Sequence, residues 1–243
     1  MSVVRRSAVG AGVALILAAV AFVLASVAEF APGELRGNGD DPSDSVAYLQ
    51  AAPEAYAYSG AALIVAGIAL VVGVLGWVRL VRHGGLSTPY GTASAFGVLA
   101  GGFALLTGVM RLQATGTVPH IAELDRDWGE AAYLVVQLAG TQGALSAAML
   151  TLSGWLVATA ILAWRRRVRW MAFLGIAPLA ILLLLAADIV IPGLEISDSM
   201  FLVYVGAITV GLPLGCLGTG IALLIAPCRA RLASPRPGPI PAS

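Results

Sequence analysis

The chain has 243 residues, 59% hydrophobic and only 11% charged, with a mean hydropathy of +0.91 and a formal net charge of +1. A soluble domain carries about 25% charged residues and needs polar side chains to cover its surface. This composition excludes an ordinary cytosolic enzyme, a nucleic-acid binder and a disordered protein, and leaves an all-α, polytopic helical membrane protein.

A bilayer core about 30 Å thick takes roughly 20 apolar residues as a helix. Six stretches qualify, at about 8–28, 56–78, 90–110, 131–164, 170–191 and 201–226. They are too long and too uniformly apolar for barrel strands, which run near 10 residues and alternate. Together they make one membrane domain over residues 1–228, followed by a Pro-alternating cytoplasmic tail at 229–243 that has no means of burying apolar surface.

The first span follows Arg5 and Arg6 and ends at Ser26-Val27-Ala28, so it has a rival reading as a secretory signal cleaved after Ala28. Its apolar run exceeds the usual signal core of about 7–15 residues, which favours an uncleaved anchor. The loop that follows, from Glu29 to Ala55, is irregular in its first half, with Pro32, Gly33, Gly37, Gly39 and Pro42. Ser45 to Gln50 fit a short helix near the membrane surface.

Spans three and six are rich in glycine. Gly97 with Gly101, Gly211 with Gly215, and Cys216 with Gly220 have the small-xxx-small spacing that lets helix backbones approach closely. Pro178 in span five and Pro213 in span six predict kinks. Cys216 and Cys228 would stand about 18 Å apart along one helix, too far for a disulfide.

Between spans three and four, residues Arg111 to Glu130 read as an outer loop with Pro119 and a charged helical patch. On a helix His120, Glu123, Asp127 and Glu130 would share one face, a ligand set suited to a divalent cation. No closed metal signature accompanies them, and a solvated acidic surface accounts for the same residues. Span four is the longest and most polar. At the α-helical period Gln137, Thr141 and Thr159 share one face, and Gln142, Ser146 and Ser153 another, fitting either interhelical hydrogen bonds or a polar vestibule.

Charge sets the orientation. All 14 basic residues are arginine, and 11 of them (Arg5, Arg6, Arg79, Arg82, Arg165, Arg166, Arg167, Arg169, Arg229, Arg231, Arg236) fall on one side if there are six spans. All 13 carboxylates fall on the other. By the positive-inside rule both termini are expected in the cytoplasm. Arg111 and Asp188 are the charges nearest to apolar surroundings, at similar depth near the outer boundary, and are expected to pair across spans three and five. Tyr56, Tyr58, Trp128, Tyr133 and Tyr204 are expected at the outer interface, and Trp77, Tyr90, Trp164 and Trp170 at the inner one.

No ionisable group falls near the middle of a span, and no phosphate-binding or dinucleotide motif is present. No cofactor is expected. The layout, with its span count, long first outer loop and charged loop before a long fourth span, resembles a broad group of small bacterial six-span membrane proteins of unknown function. That resemblance implies a multi-pass protein of the cell (inner) membrane and transfers no functional residue. The function expected is non-enzymatic, through helix packing with itself or a membrane partner within the lipid bilayer. The alternatives are a small-solute transporter or channel and an enzyme with a metal at its outer face. If the first span is an anchor, the intact mass of the purified protein retains Met1 or Ser2. A mature chain beginning at Glu29 would leave five spans.

Overall fold

The computed structural model describes residues 3–30, 42–83, 88–165, 169–190 and 206–232. Apart from Ala52, Asp125 and a turn at Leu174–Gly175, every described residue is helical. The helices are α1 (Val3–Phe30), α2 (Pro42–Ala51), α3 (Pro53–His83), α4 (Thr88–Leu124), α5 (Arg126–Val135), α6 (Ser146–Arg165), α7 (Arg169–Phe173), α8 (Ile176–Val190) and α9 (Leu212–Leu232). Two segments wind as π-helix, Val136–Leu145 between α5 and α6 and Ala207–Gly211 before α9.

Five of these helical stretches are long and apolar enough to cross a membrane: Arg6–Ala28, Pro53–Val81, Gly91–Leu124, Arg126–Arg165 and Ile208–Ile225. The expected fifth span is represented by a shorter apolar stretch, Trp170–Leu183. It is broken at Leu174–Gly175, and the cause is local. Pro178 lacks an N–H and its ring clashes with the carbonyl four residues back, at Leu174. The chain accommodates this with two tight turns, Leu174 N–H to Met171 O and Gly175 N–H to Ala172 O, before α8 resumes. Pro213 acts in the same way on Thr209, which lies inside the second π-segment.

Alanines share the interior with large side chains such as Leu15, Leu70, Trp77, Leu152 and Trp155, and large apolar residues also cover the exterior. Ala18, Ala66, Ala100 and Ala104 are buried, while Leu17, Leu24, Ile68, Val72, Leu99 and Leu106 are exposed on the same helices. A soluble bundle covers its exterior with polar side chains, whereas an apolar exterior of this kind suits a lipid solvent. The closest packing is between α3 and α4. A Cβ on Gly67 would meet the Gly101 carbonyl oxygen at 2.5 Å, and one on Gly108 would meet that of Gly60 at the same distance. The pairs 60 with 108 and 67 with 101 run in opposite directions, so α3 and α4 are antiparallel. Gly73 against Leu15 and Gly76 against Ala11 make α1 and α3 antiparallel. Gly12 against Leu224 and Gly220 against Ile16 do the same for α1 and α9. The start of α1 and the end of α9 therefore share one end of the bundle, with exposed Arg6, Arg79 and Arg165; Asp44, Glu54 and Asp125 lie at the other.

Three expectations change. The stretch after Arg111 is not a loop. α4 continues through Pro119 to Leu124, because Ala114, Val118 and Ala122 repeat every four residues and pack against Val46 and Leu49 of α2 and against α5. Trp77 is not an interface anchor: it is buried, its ring edge-on to Trp155 at 5.8 Å between centroids. α9 also extends to Leu232, past the expected start of the tail; residues 233–243 lie outside the described residues. α2 covers the short helix expected at Ser45–Gln50.

Two adjacent glycines test the α3–α4 contact with opposite signs. A Cβ on Gly101 would sit 2.6 Å from Val71 Cγ2, whereas one on Gly102 meets nothing within 4 Å. Gly101→Ala should cost about 1–3 kcal/mol by overpacking. Gly102→Ala should stabilise by about 0.5–1 kcal/mol through helix propensity. Thermal unfolding in detergent measures both.

Candidate functional site

Four buried polar residues, Ser45, Ser59, Thr107 and Arg111, lie toward the acidic end, where the main core gives way to a second cluster of Val46, Leu49, Ala114 and Val118. Arg111 stands at that junction. Its side chain is 1% exposed, so its placement depends on what the neighbouring helices supply. From α3, Ser59 Oγ accepts a hydrogen bond from Arg111 Nη1 at 2.6 Å. One turn earlier, the Tyr56 ring lies under the guanidinium, 5.4 Å from ring centroid to Cζ. That distance is within cation–π range. Ser59 and Tyr56 are three residues apart and share one face of α3, which is why both reach the same group.

The π-segment faces the same region. Its wider turns free backbone carbonyls from the α-pattern, and the one at Gly140 accepts a hydrogen bond from Thr107 Oγ1 at 3.2 Å. The same hydroxyl also donates to Phe103 O at 3.0 Å on its own helix. Thr107 lies one turn before Arg111, so α4 presents both polar groups in a row toward the bundle interior.

Beside this row is a cavity of about 20 Å³ between Ala28 of α1, Ser45, Tyr48 and Leu49 of α2, Tyr56 of α3, Tyr133 of α5 and Gln137. It has room for a water or two. Its polar lining is uncharged: phenols, an amide and a hydroxyl. Such a set orients water or a small neutral polar group, and contains no nucleophile–base pair.

The remaining sequence candidates are distributed as follows. Asp125 interrupts the helix in an extended conformation (φ −156°, ψ 122°), and its side chain caps α5 by accepting from Trp128 N–H at 3.2 Å. The chain turns back there, and Gly129 permits the close approach: a Cβ on it would meet Ala122 Cβ at 2.4 Å. His120 and Glu123 therefore belong to α4 while Asp127 and Glu130 belong to α5, and the single face expected for the four does not form. His120 Nδ1 lies 4.0 Å from Glu123 Oε2, both well exposed, and Glu130 pairs with Arg126 at 3.1 Å. Among the described residues no three of His, Cys, Asp and Glu stand together as metal ligands.

The π-segment also breaks the periodicity expected along span four. Gln137 reaches the cavity, Thr159 is buried and donates to Trp155 O at 2.9 Å, and Ser146 is exposed. The side chains of Thr141 and Gln142 lie outside the described residues. So does that of Asp188, and with it the expected pair to Arg111; α8, which carries Asp188, packs chiefly on α6. Gly97 faces Val74 and Trp155, Gly101 faces α3, and Gly215 faces Leu156. Gly211 ends the second π-segment.

The sequence analysis missed Ser59, Tyr56 and Thr107 as partners of this region. A usable signal was present, since Thr107 and Arg111 are four residues apart on α4 and Tyr56 and Ser59 three apart near the start of α3. No family model, no curated protein and no solved structure matches the chain.

Hydrogen bonds to a buried charge contribute about 1.5–3 kcal/mol. Ser59→Ala is expected to destabilise by about that amount. Arg111→Met should cost more than Ser59→Ala through the lost ring contact. The double variant should lose less than the sum, by at least about 0.5 kcal/mol of coupling. Additive losses in detergent unfolding would show that the two side chains act independently.

Proposed function

We propose that this chain is a six-span integral protein of a bacterial inner membrane, with both termini in the cytoplasm. It acts through helix packing with itself or a membrane partner rather than through catalysis. The observation that carries the span count is the antiparallel contact of α1 with α9 through Gly12 and Gly220. A chain whose first and last spans run in opposite directions crosses an even number of times. Five long apolar stretches plus the broken α7–α8 pair give six. The orientation follows from Arg6, Arg79 and Arg165 at the end shared by the termini.

The non-enzymatic reading is supported by the use made of the polar groups. Arg111, Ser59 and Thr107 are engaged in contacts between helices, and the external faces of α1, of α3 between Val65 and Leu75 and of α4 between Phe96 and Leu106 carry large exposed apolar residues. Lipid or a neighbouring span satisfies such a surface equally well, so close packing between proteins in the membrane rests on shape.

Reporter fusions at Pro42, His83, Leu124, Val168, Ser197 and the C terminus should alternate, with His83, Val168 and the C terminus cytoplasmic. An external C terminus would overturn the six-span topology. In nanodiscs the protein should run as a defined oligomer or with a stoichiometric membrane partner. A monomer with no such partner would overturn the packing role.

A further inference from the structure

We infer that the groove between α6 and the α7–α8 break is a binding site for one anionic phospholipid. One of its acyl chains lies along the groove, and its phosphate sits against Arg165. The groove has a volume of about 210 Å³ and is lined by Val157, Ala160, Ile161 and Trp164 on α6 and by Ala172, Gly175, Ile176 and Leu179 on the facing side. It exists because the helix breaks before Pro178. Gly175 brings the two helices into contact, where a Cβ would meet Ala160 Cβ at 2.5 Å, and the interruption leaves the wall beside that contact open.

Three observations select the occupant. The lining is apolar and borders exposed Ile161, Leu179 and Leu183, so a hydrocarbon chain fits it and an aqueous solute does not. Trp164 lines the groove near the end of α6 and is exposed, and indole rings favour headgroup level; Trp170, also exposed, stands two residues before the lining residue Ala172. Arg165 ends α6 next to Trp164 with its side chain exposed, and it supplies charge complementarity to a lipid phosphate. The connection at 166–168 lies outside the described residues and is no part of the site. Hydrocarbon gains little by moving from bilayer to groove, so selectivity resides in the headgroup contact and the groove sets position.

This inference rests on the membrane reading above but not on its orientation, because binding is measured in detergent. The full chain is titrated with phosphatidylglycerol or phosphatidylcholine of matched chains and observed by native mass spectrometry. One phosphatidylglycerol adduct should be retained at least fivefold more than phosphatidylcholine. Arg165→Gln should reduce that preference about fivefold. Ile176→Trp and Leu179→Trp, which place a ring in the groove from exposed positions, should lower retention of both lipids, with the unfolding temperature unchanged. Equal retention of the two lipids, or insensitivity to all three variants, overturns the site. A dimer abolished by Ile176→Trp, without lipid preference, also overturns it by showing that a second copy fills the groove. Reporter fusions read the topology separately.

Discussion

Contact between helix backbones is the constraint on which the rest of the fold depends. In lipid no hydrophobic force drives one apolar helix onto another, so attraction comes from van der Waals contact and interhelical hydrogen bonds. Contact of that kind is strong only where side chains are absent. The pairs Gly60 with Gly108 and Gly67 with Gly101 meet this need along α3 and α4, and Gly12 with Gly220 closes α1 onto α9. Alanine, leucine and the Trp77–Trp155 pair complete the interior, and the outward faces of the same helices are apolar as well.

Close packing leaves little internal space, and this gives Arg111 its particular setting. Moving an arginine to the centre of an apolar helix costs roughly 2.5–3.5 kcal/mol on insertion scales. The cost falls when a ring face and a hydroxyl are already in place, and α3 supplies both from Tyr56 and Ser59. The guanidinium in turn fixes the register of α3 against α4 beside the Gly60–Gly108 contact, since a Cβ on Gly60 would meet Arg111 Cβ at 3.1 Å. Shape holds this helix pair along its length, and polarity is added to it at the Ser59–Arg111 level.

Much of the architecture was legible because apolar run length is a strong signal and charge segregates along the chain. The spacing of Gly97 and Gly101 also identified a packing face of α4. The seven-residue register that pairs Gly60 and Gly67 with Gly108 and Gly101 was visible in the sequence too, but only to a comparison between spans, since each glycine is ambiguous alone. The stretch after Arg111 was misread because His120, Glu123 and Pro119 resemble loop residues. The competing signal, Ala114, Val118 and Ala122 at a period of four, is composed of weakly apolar residues that composition discounts. The π-segment at Val136–Leu145 has no comparable signature. Gly140 and Gly143 permit it, but the Thr107 contact that engages its freed carbonyl comes from another helix.

That contact explains how the acidic end is joined to the spans. α4 is 37 residues long, about 55 Å at helical rise, nearly twice a bilayer core, and it continues without interruption from one cluster into the other. Its partner from Arg126 to Arg165 does not run as one regular helix; it changes to π-winding at the level where Arg111 stands. One side of the hairpin is therefore a rigid rod and the other carries a segment with a less regular hydrogen-bond pattern. The α5 and α2 layer rests on the rod through Ala114 and Val118, and the π-segment connects α5 to α6. The layer is joined to the spans at Ala52, at Asp125 and through Val136–Leu145. The groups that would resist its displacement are Thr107 on the Gly140 carbonyl and Arg111 against Tyr56 and Ser59.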